Sequence, residues 1–148
     1  MIKNYFTNPG IDYPAISVVF FCHDGDGNYL FSKRGNHCRD EHGCYDPGGG
    51  RLELHETVDQ LLHRELQEEY NAQPLKYEFL GMREMHRINK GQKTHWVALD
   101  FKVLVDRNVV KNNEPYKFDE LIWRRMDDLP SPMHSQFSVA LKKYKDKF

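Results

Sequence analysis

The segment GRLELHETVDQLLHRELQEE, from Gly50 to Glu69, restricts what this chain can fold into more than any other stretch. At about 100° per residue, Val58, Leu61, Leu62 and Leu66 trace one apolar arc, which predicts a helix from about Glu56 to Tyr70. Asn71 can adopt the left-handed conformation that ends a helix, and Pro74 prevents continuation. Glu65, Glu68 and Glu69 fall within or beside the apolar arc. On a water-facing stripe these acids would need no explanation, but that arrangement would expose Leu61. Carboxylates converging on the packed side repel one another and resist desolvation unless a cation compensates them. The segment therefore points to a site for a hard divalent metal.

The rest of the composition narrows the class. A chain of 148 residues suits one domain spanning 1–148 with a single sizeable core. Its net charge of -1 gives no general pull toward a nucleic-acid polymer or an anionic membrane. No apolar run is long enough to cross a bilayer, and the first residues lack the apolar stretch of a secretory signal. Cys22, Cys38 and Cys44 cannot all pair and form no CxxC, so reduced thiols in a cytoplasmic protein are expected.

Along the chain, Ala15 to His23 reads as a buried strand, Asp24 to Asn28 as a turn, and Tyr29 to Lys33 as the returning strand. Arg34 to Asp46 is a polar loop ending in a short strand. The run Pro47-Gly48-Gly49-Gly50 predicts irregular backbone able to approach a ligand closely. Beyond the helix, Tyr77 to Arg87 and Lys93 to Asp106 are strand-like around an Asn89–Gly91 turn. A short strand near Leu121 to Trp123 and a helix within Pro132 to Tyr144 complete the pattern. Strands on both sides of one central helix give an α/β or α+β layered domain.

The central segment resembles the Nudix hydrolase signature G-x5-E-x7-R-E-U-x-E-E-x-G-U, with U a bulky apolar residue. Gly50, Glu56, Arg64, Glu65, Leu66, Glu68 and Glu69 match in spacing. Asn71 stands where the family has glycine, and Ala72 is a small version of the last apolar position. Asn tolerates positive φ, so the first departure is structurally mild. The proline-glycine lead-in, and Glu120-x-x-Trp123 followed by Asp128-Leu-Pro, also resemble the family. The resemblance implies a mixed β-sheet sandwiched between helices, with the motif, about residues 50–72, forming a loop-helix-loop.

In a helix the i, i+3, i+4 spacing of Glu65, Glu68 and Glu69 brings their side chains to one face, and magnesium or manganese prefers such oxygen ligands. The resemblance implies the Gly49 carbonyl as a further ligand, Glu65 and Glu69 as first-choice side-chain ligands, and Glu68 as ligand, general base or both. Arg64 is expected to hold a motif glutamate in place, and Glu56 to act behind the ligands. The implied reaction is attack of an activated water on a phosphorus of a diphosphate linkage in a small nucleotide. Glu120, ahead of Glu114, is the candidate base outside the motif. Arg34 and Arg51 are candidates for binding phosphate.

The leading substrate class is a nucleoside triphosphate, normal or oxidised, with ADP-ribose second. A silent nucleotide sensor is the competing reading. A homodimer is one assembly open to the family, though no surface in the sequence announces it. The spacing of His37, Cys38, His42 and Cys44 matches no common zinc module, so a polar loop is the expected reading there. Trp96, Trp123 and the paired phenylalanines read as core, and His86 and His95 as surface or hydrogen-bonded histidines.

Overall fold

A computed structural model describes residues 7–148. The N-terminal stretch read as lacking a secretory signal lies mostly outside them. Among the described residues no helix is long and apolar enough to cross a membrane.

The run AISVVFFCH forms β1 (Ala15–His23), and its near-continuous apolar character follows from burial on both faces. Val18, Phe20 and Cys22 point into one core and Phe21 into another. Along one edge β1 pairs in parallel with β6 (Gln92–Leu104), from Ala15↔Trp96 to His23↔Leu104. Its other edge is shared. There β2 (Tyr29–Arg34) meets it antiparallel at His23↔Tyr29, and β4 (Gly48–Arg51) pairs with Ser17 to Phe20. The two-residue β3 (Tyr45–Asp46) pairs with β2, so only Pro47 separates a strand on β2 from a strand on β1. The chain crosses between sheet neighbours at that point, and a cleft opens there. β5 (Lys76–Asn89) and β7 (Phe118–Arg124) extend the seven-stranded mixed sheet beside β6 and β2.

A helix covers each face. α1 (Val58–Tyr70) buries Leu61, Leu62, Leu66 and Tyr70 against Val18, Phe20, Leu30 and Val103. α2 (Phe137–Tyr144) buries Phe137, Ala140 and Tyr144 against Phe21, Tyr29 and Phe31. The expected mixed sheet between helices is what the chain forms. Thr57 caps α1 in a reciprocal box with Gln60, an interaction worth about 1 kcal/mol. Asn71 ends the helix at φ 55°, in the left-handed region expected of it.

One expectation fails. The glycine run is not irregular: Gly48–Arg51 is a regular strand. Its glycines serve close packing instead. A Cβ on Gly48 would lie 2.0 Å from the Phe20 ring, and one on Gly50 would lie 2.3 Å from Glu65 Oε1. Both sit on the α1 face, Gly48 leaving room for the Phe20 ring of β1 and Gly50 for the Glu65 carboxylate of α1.

Gly48→Ala should therefore destabilise the fold by about 1–3 kcal/mol, the usual cost of overpacking a core. Urea unfolding would measure the loss. Wild-type stability in the variant would show that the Phe20 ring can withdraw freely.

Candidate active site

The motif opens with an ion-pair brace. Glu56 lies just before α1 and Arg64 two turns into it. Arg64 donates from Nε to Glu56 Oε1 at 2.7 Å, from Nη2 to Glu56 Oε2 at 3.0 Å, and from Nη1 to Glu65 Oε1 at 2.7 Å. The Arg64 hydrogen bonds hold Glu56 below the ordinary carboxylate range. Thus one guanidinium ties the helix entry to Glu65. Glu65 is mostly buried, and desolvation raises its pKa despite Arg64. Its carboxylate lies over Gly50, in space that exists because residue 50 has no side chain.

One helical turn on, Glu69 is 1% exposed. Its Oε1 accepts from Lys117 Nζ at 3.1 Å, while its Oε2 is buried and has no hydrogen-bond partner among the described residues. Burial pushes its pKa up to about 8, with Lys117 opposing the shift and Glu65 adding to it. Glu68 differs, being half exposed, with Oε2 3.7 Å from Arg64 Nη1. The three acids expected to converge thus grade from buried to solvent-facing.

These residues fit a hard divalent cation. The donors are carboxylate oxygens, one of them buried and unpartnered, and a strand of glycines faces them. Gly49 and Gly50 line, with Glu69, a cleft of about 250 Å³ whose walls also carry Arg34, Arg39, Arg51, Arg83, Arg87 and Lys117. Of the motif acids, Glu69 therefore faces a cavity rich in positive charge.

The other sequence candidates divide. Arg51 lines the cleft and makes no salt bridge among the described residues. Arg34 also lines it, but donates to Asp40 O at 2.9 Å, Asp40 Oδ1 at 3.1 Å and Asp46 Oδ2 at 3.4 Å. Glu120 is not brought to the motif. It pairs across the sheet with Lys33 and accepts from the Tyr45 hydroxyl. Phe31 and Ile122, two residues from Lys33 and Glu120, belong to the α2 core, so Glu120 faces away from α1. Glu114 comes nearer, since its Oε2 is 3.5 Å from the Lys117 ammonium that also holds Glu69.

Asp40, Glu41 and His134 also bring possible ligand atoms together, within 4.8 Å of one another. Their oxygens are already engaged. Glu41 accepts from Arg87, from Ser135 N at 2.7 Å and Ser135 Oγ at 2.9 Å, and lies 2.7 Å from His134 Nε2. Asp40 lies 3.2 Å from Arg87 Nη1. This cluster pins the β2–β3 loop to β5 and to the approach to α2. In the same loop Cys38 Sγ donates to Lys117 O and His42 bonds Cys38 O, so these residues behave as loop tethers. His86 and His95 stack with ring centroids 4.1 Å apart and do not line the cleft.

Lys117, Arg83, Arg87 and Arg39 were not singled out from sequence. None has a spacing that marks it: Arg83 and Arg87 reach the cleft from β5, Arg39 and Lys117 from two separate loops.

The Glu69 geometry has a pH consequence. An ordinary glutamate loses its proton near 4.5, whereas Glu69 in the metal-free fold loses it near 8. Between those values the folded state holds a proton that the unfolded chain has lost. Stability of the metal-free protein should therefore fall as pH rises through that window. Urea unfolding in chelator from pH 5 to 9 should show the decline, and Glu69→Gln should flatten it. Equal slopes in the two proteins would mean that Glu69 ionises normally.

Comparison with known proteins agrees with this arrangement. A family model described as the NUDIX domain matches residues 13–144. Among solved structures, a MutT NUDIX hydrolase from Burkholderia pseudomallei is 26% identical with a TM-score of 0.77, covering 88% of this chain and 98% of that one. A MutT protein from Methanosarcina mazei Go1 is 20% identical with a TM-score of 0.74, covering 93% and 97%. The NUDIX domain of Shewanella oneidensis NrtR, solved with ADP ribose, is 18% identical with a TM-score of 0.70, covering 99% of each chain. No curated protein matches the chain by sequence. With nearly its whole length matched and its acids gathered against the glycine strand, the chain belongs to the Nudix family and is a hydrolase acting on pyrophosphate bonds.

Proposed function

We propose that this Nudix hydrolase cleaves a nucleoside triphosphate, normal or oxidised, to the monophosphate and pyrophosphate, using magnesium or manganese, in the cytoplasm. The observation that carries the reading is one cleft in which Glu69 and the motif glycines meet a lining of arginines and Lys117. Negative oxygens at one wall suit a divalent cation, and the arginines suit phosphates. A volume of about 250 Å³ falls just under the usual range for drug-sized ligands, which favours one nucleoside over two. Three unpaired cysteines accord with a reducing compartment.

Glu65, Glu69 and the Gly49 carbonyl are the ligands in this reading. An ion held there supplies positive charge for the phosphoryl oxygens and the departing phosphate. Arg64 orients Glu65 and is itself steadied by Glu56, as their hydrogen bonds support. Glu68 takes the proton of the attacking water, a role supported by its exposed carboxylate. Glu114 supports the cluster from outside the motif in preference to Glu120, which lies on the far face of the sheet. Arg51, uncommitted to an ion pair, binds the substrate phosphates, with Arg34 beside it.

ADP-ribose is the second reading, favoured by the ADP ribose in the NrtR domain that shares this fold. A screen of nucleoside triphosphates, ADP-ribose and dinucleoside polyphosphates with magnesium, products identified by mass, separates the readings. Nucleoside monophosphate plus pyrophosphate is expected; AMP plus ribose phosphate would select ADP-ribose instead. Binding without turnover of any member would select a nucleotide sensor.

Glu69→Gln should lower kcat/KM by about a thousandfold or more. Glu56→Gln, acting through Arg64, should cost about 10- to 100-fold, the range for groups that support a metal's ligands. Equal losses would put Glu56 among the ligands themselves.

A further inference from the structure

Lys117 differs from the other cations of the cleft in how it is held. Its backbone is fixed. The carbonyl accepts from Gly35 N at 2.9 Å and Cys38 Sγ at 3.2 Å, and its N–H donates to Glu114 O at 2.9 Å. A Cβ on Gly35 would stand 2.9 Å from that carbonyl, so the neighbouring loop is seated tightly against it. The side chain is freer, being 34% exposed and part of the cleft wall. Its ammonium rests between Glu69 Oε1 at 3.1 Å and Glu114 Oε2 at 3.5 Å. A firm stem thus carries a movable charge that sits on the most buried acid of the motif.

We propose that Lys117 has two working positions. In the metal-free enzyme its ammonium stands in for the divalent ion at Glu69, and once that ion binds it turns into the cleft to hold the substrate's phosphates. The inference rests on the metal reading given above. Glu69 has one oxygen on Lys117 and a second, buried, with no partner. A divalent cation on the second oxygen would share one desolvated carboxylate with the ammonium, and like charges at that separation repel strongly away from water. Of the two, only the lysine head can leave. Within the cleft Asp40 and Asp46 already serve Arg34, and Glu41 serves Arg87. Glu114, on the lysine's own turn, is then the one carboxylate still at hand, and the more highly charged anion offered to the displaced ammonium is the one the substrate brings. Metal and phosphate binding are coupled as a result, each raising the affinity for the other.

The wild-type protein tests this directly. Lys117 acetylation by a limiting acylating reagent is quantified by peptide mass spectrometry in chelator, in magnesium, and in magnesium with methylenediphosphonate, a pyrophosphate analogue. Its rate should rise about fivefold or more with magnesium, as the head leaves the buried Glu69 carboxylate that shields it, and fall back when the analogue is added. An unchanged rate while calorimetry shows magnesium bound would overturn the proposal and leave the hydrolase reading intact. No magnesium binding at all would remove the metal reading and this inference with it. In magnesium, Lys117→Met should bind the analogue about tenfold more weakly and Lys117→Arg should keep most of the affinity. Equal affinities for wild type and Lys117→Met would also overturn it.

Discussion

The structure is organised around the cost of placing carboxylates on the packed side of a helix. Glu65 and Glu69 lie one turn apart on α1, and both are withdrawn from water. A carboxylate in that position keeps its proton unless cations outweigh the cost of burial, and Glu69 keeps its own to about pH 8 even beside Lys117. The fold supplies cations from two directions. Arg64 comes from the same helix and is anchored on Glu56, which fixes Glu65 at the helix entry. Lys117 comes from the turn before β7 and takes one oxygen of Glu69. What remains is a single buried oxygen, turned from water and satisfied by nothing in the described chain. Among the described residues it is the one motif carboxylate oxygen so placed, and a divalent cation would satisfy it with the chemistry that the neighbouring acids share.

The glycine strand follows from the same requirement. For Glu65 to lie against the sheet, β4 must offer backbone rather than side chain at Gly50, and at Gly48 the same bare strand leaves room for the Phe20 ring of β1. Pairing of β4 with β1 keeps the peptide groups of that bare strand satisfied. It also divides one edge of β1 between β2 and β4. The cleft opens at this division, so the strand that makes room for the acid also bounds the cleft.

This explains which features could be read from sequence. Helix α1, its Asn71 terminus and the strands β1, β2, β5 and β6 follow from local periodicity and turn residues, and they lie close to where those signals put them. The motif spacing likewise held the information that Arg64 meets Glu56, because eight residues of helix and approach fix that contact. The glycine run misled because glycine signals freedom of backbone in an isolated stretch, whereas here it signals a lack of space imposed by Phe20 and Glu65. Glu120 was equally opaque. Its distance from the motif depends on which face of β7 it occupies, and that is decided by pairing with Lys33 some ninety residues earlier. Lys117, forty-eight residues beyond Glu69, reaches the site only through tertiary packing of its loop.

The electrostatics of the cleft depend on the same distinction between the whole chain and its parts. A net charge of -1 gave no reason to expect an anionic ligand. Yet six cationic side chains, Arg34, Arg39, Arg51, Arg83, Arg87 and Lys117, share the cleft wall with three acids, Asp40, Asp46 and Glu69. Their pairing decides what the cleft offers. Arg83 is closed off in a buried pair with Asp100, which Tyr144 also joins. Arg34 and Arg87 are held by Asp40, Asp46 and Glu41, so they shape the wall and contribute to the field from fixed positions. Arg51, at the end of the glycine strand, has no such partner, and Lys117 has one that a metal would claim. Arg39 has only a 3.9 Å approach to Asp40, so the cations least committed to carboxylates are Arg39 and Arg51 on the cleft wall, with Lys117 beside Glu69.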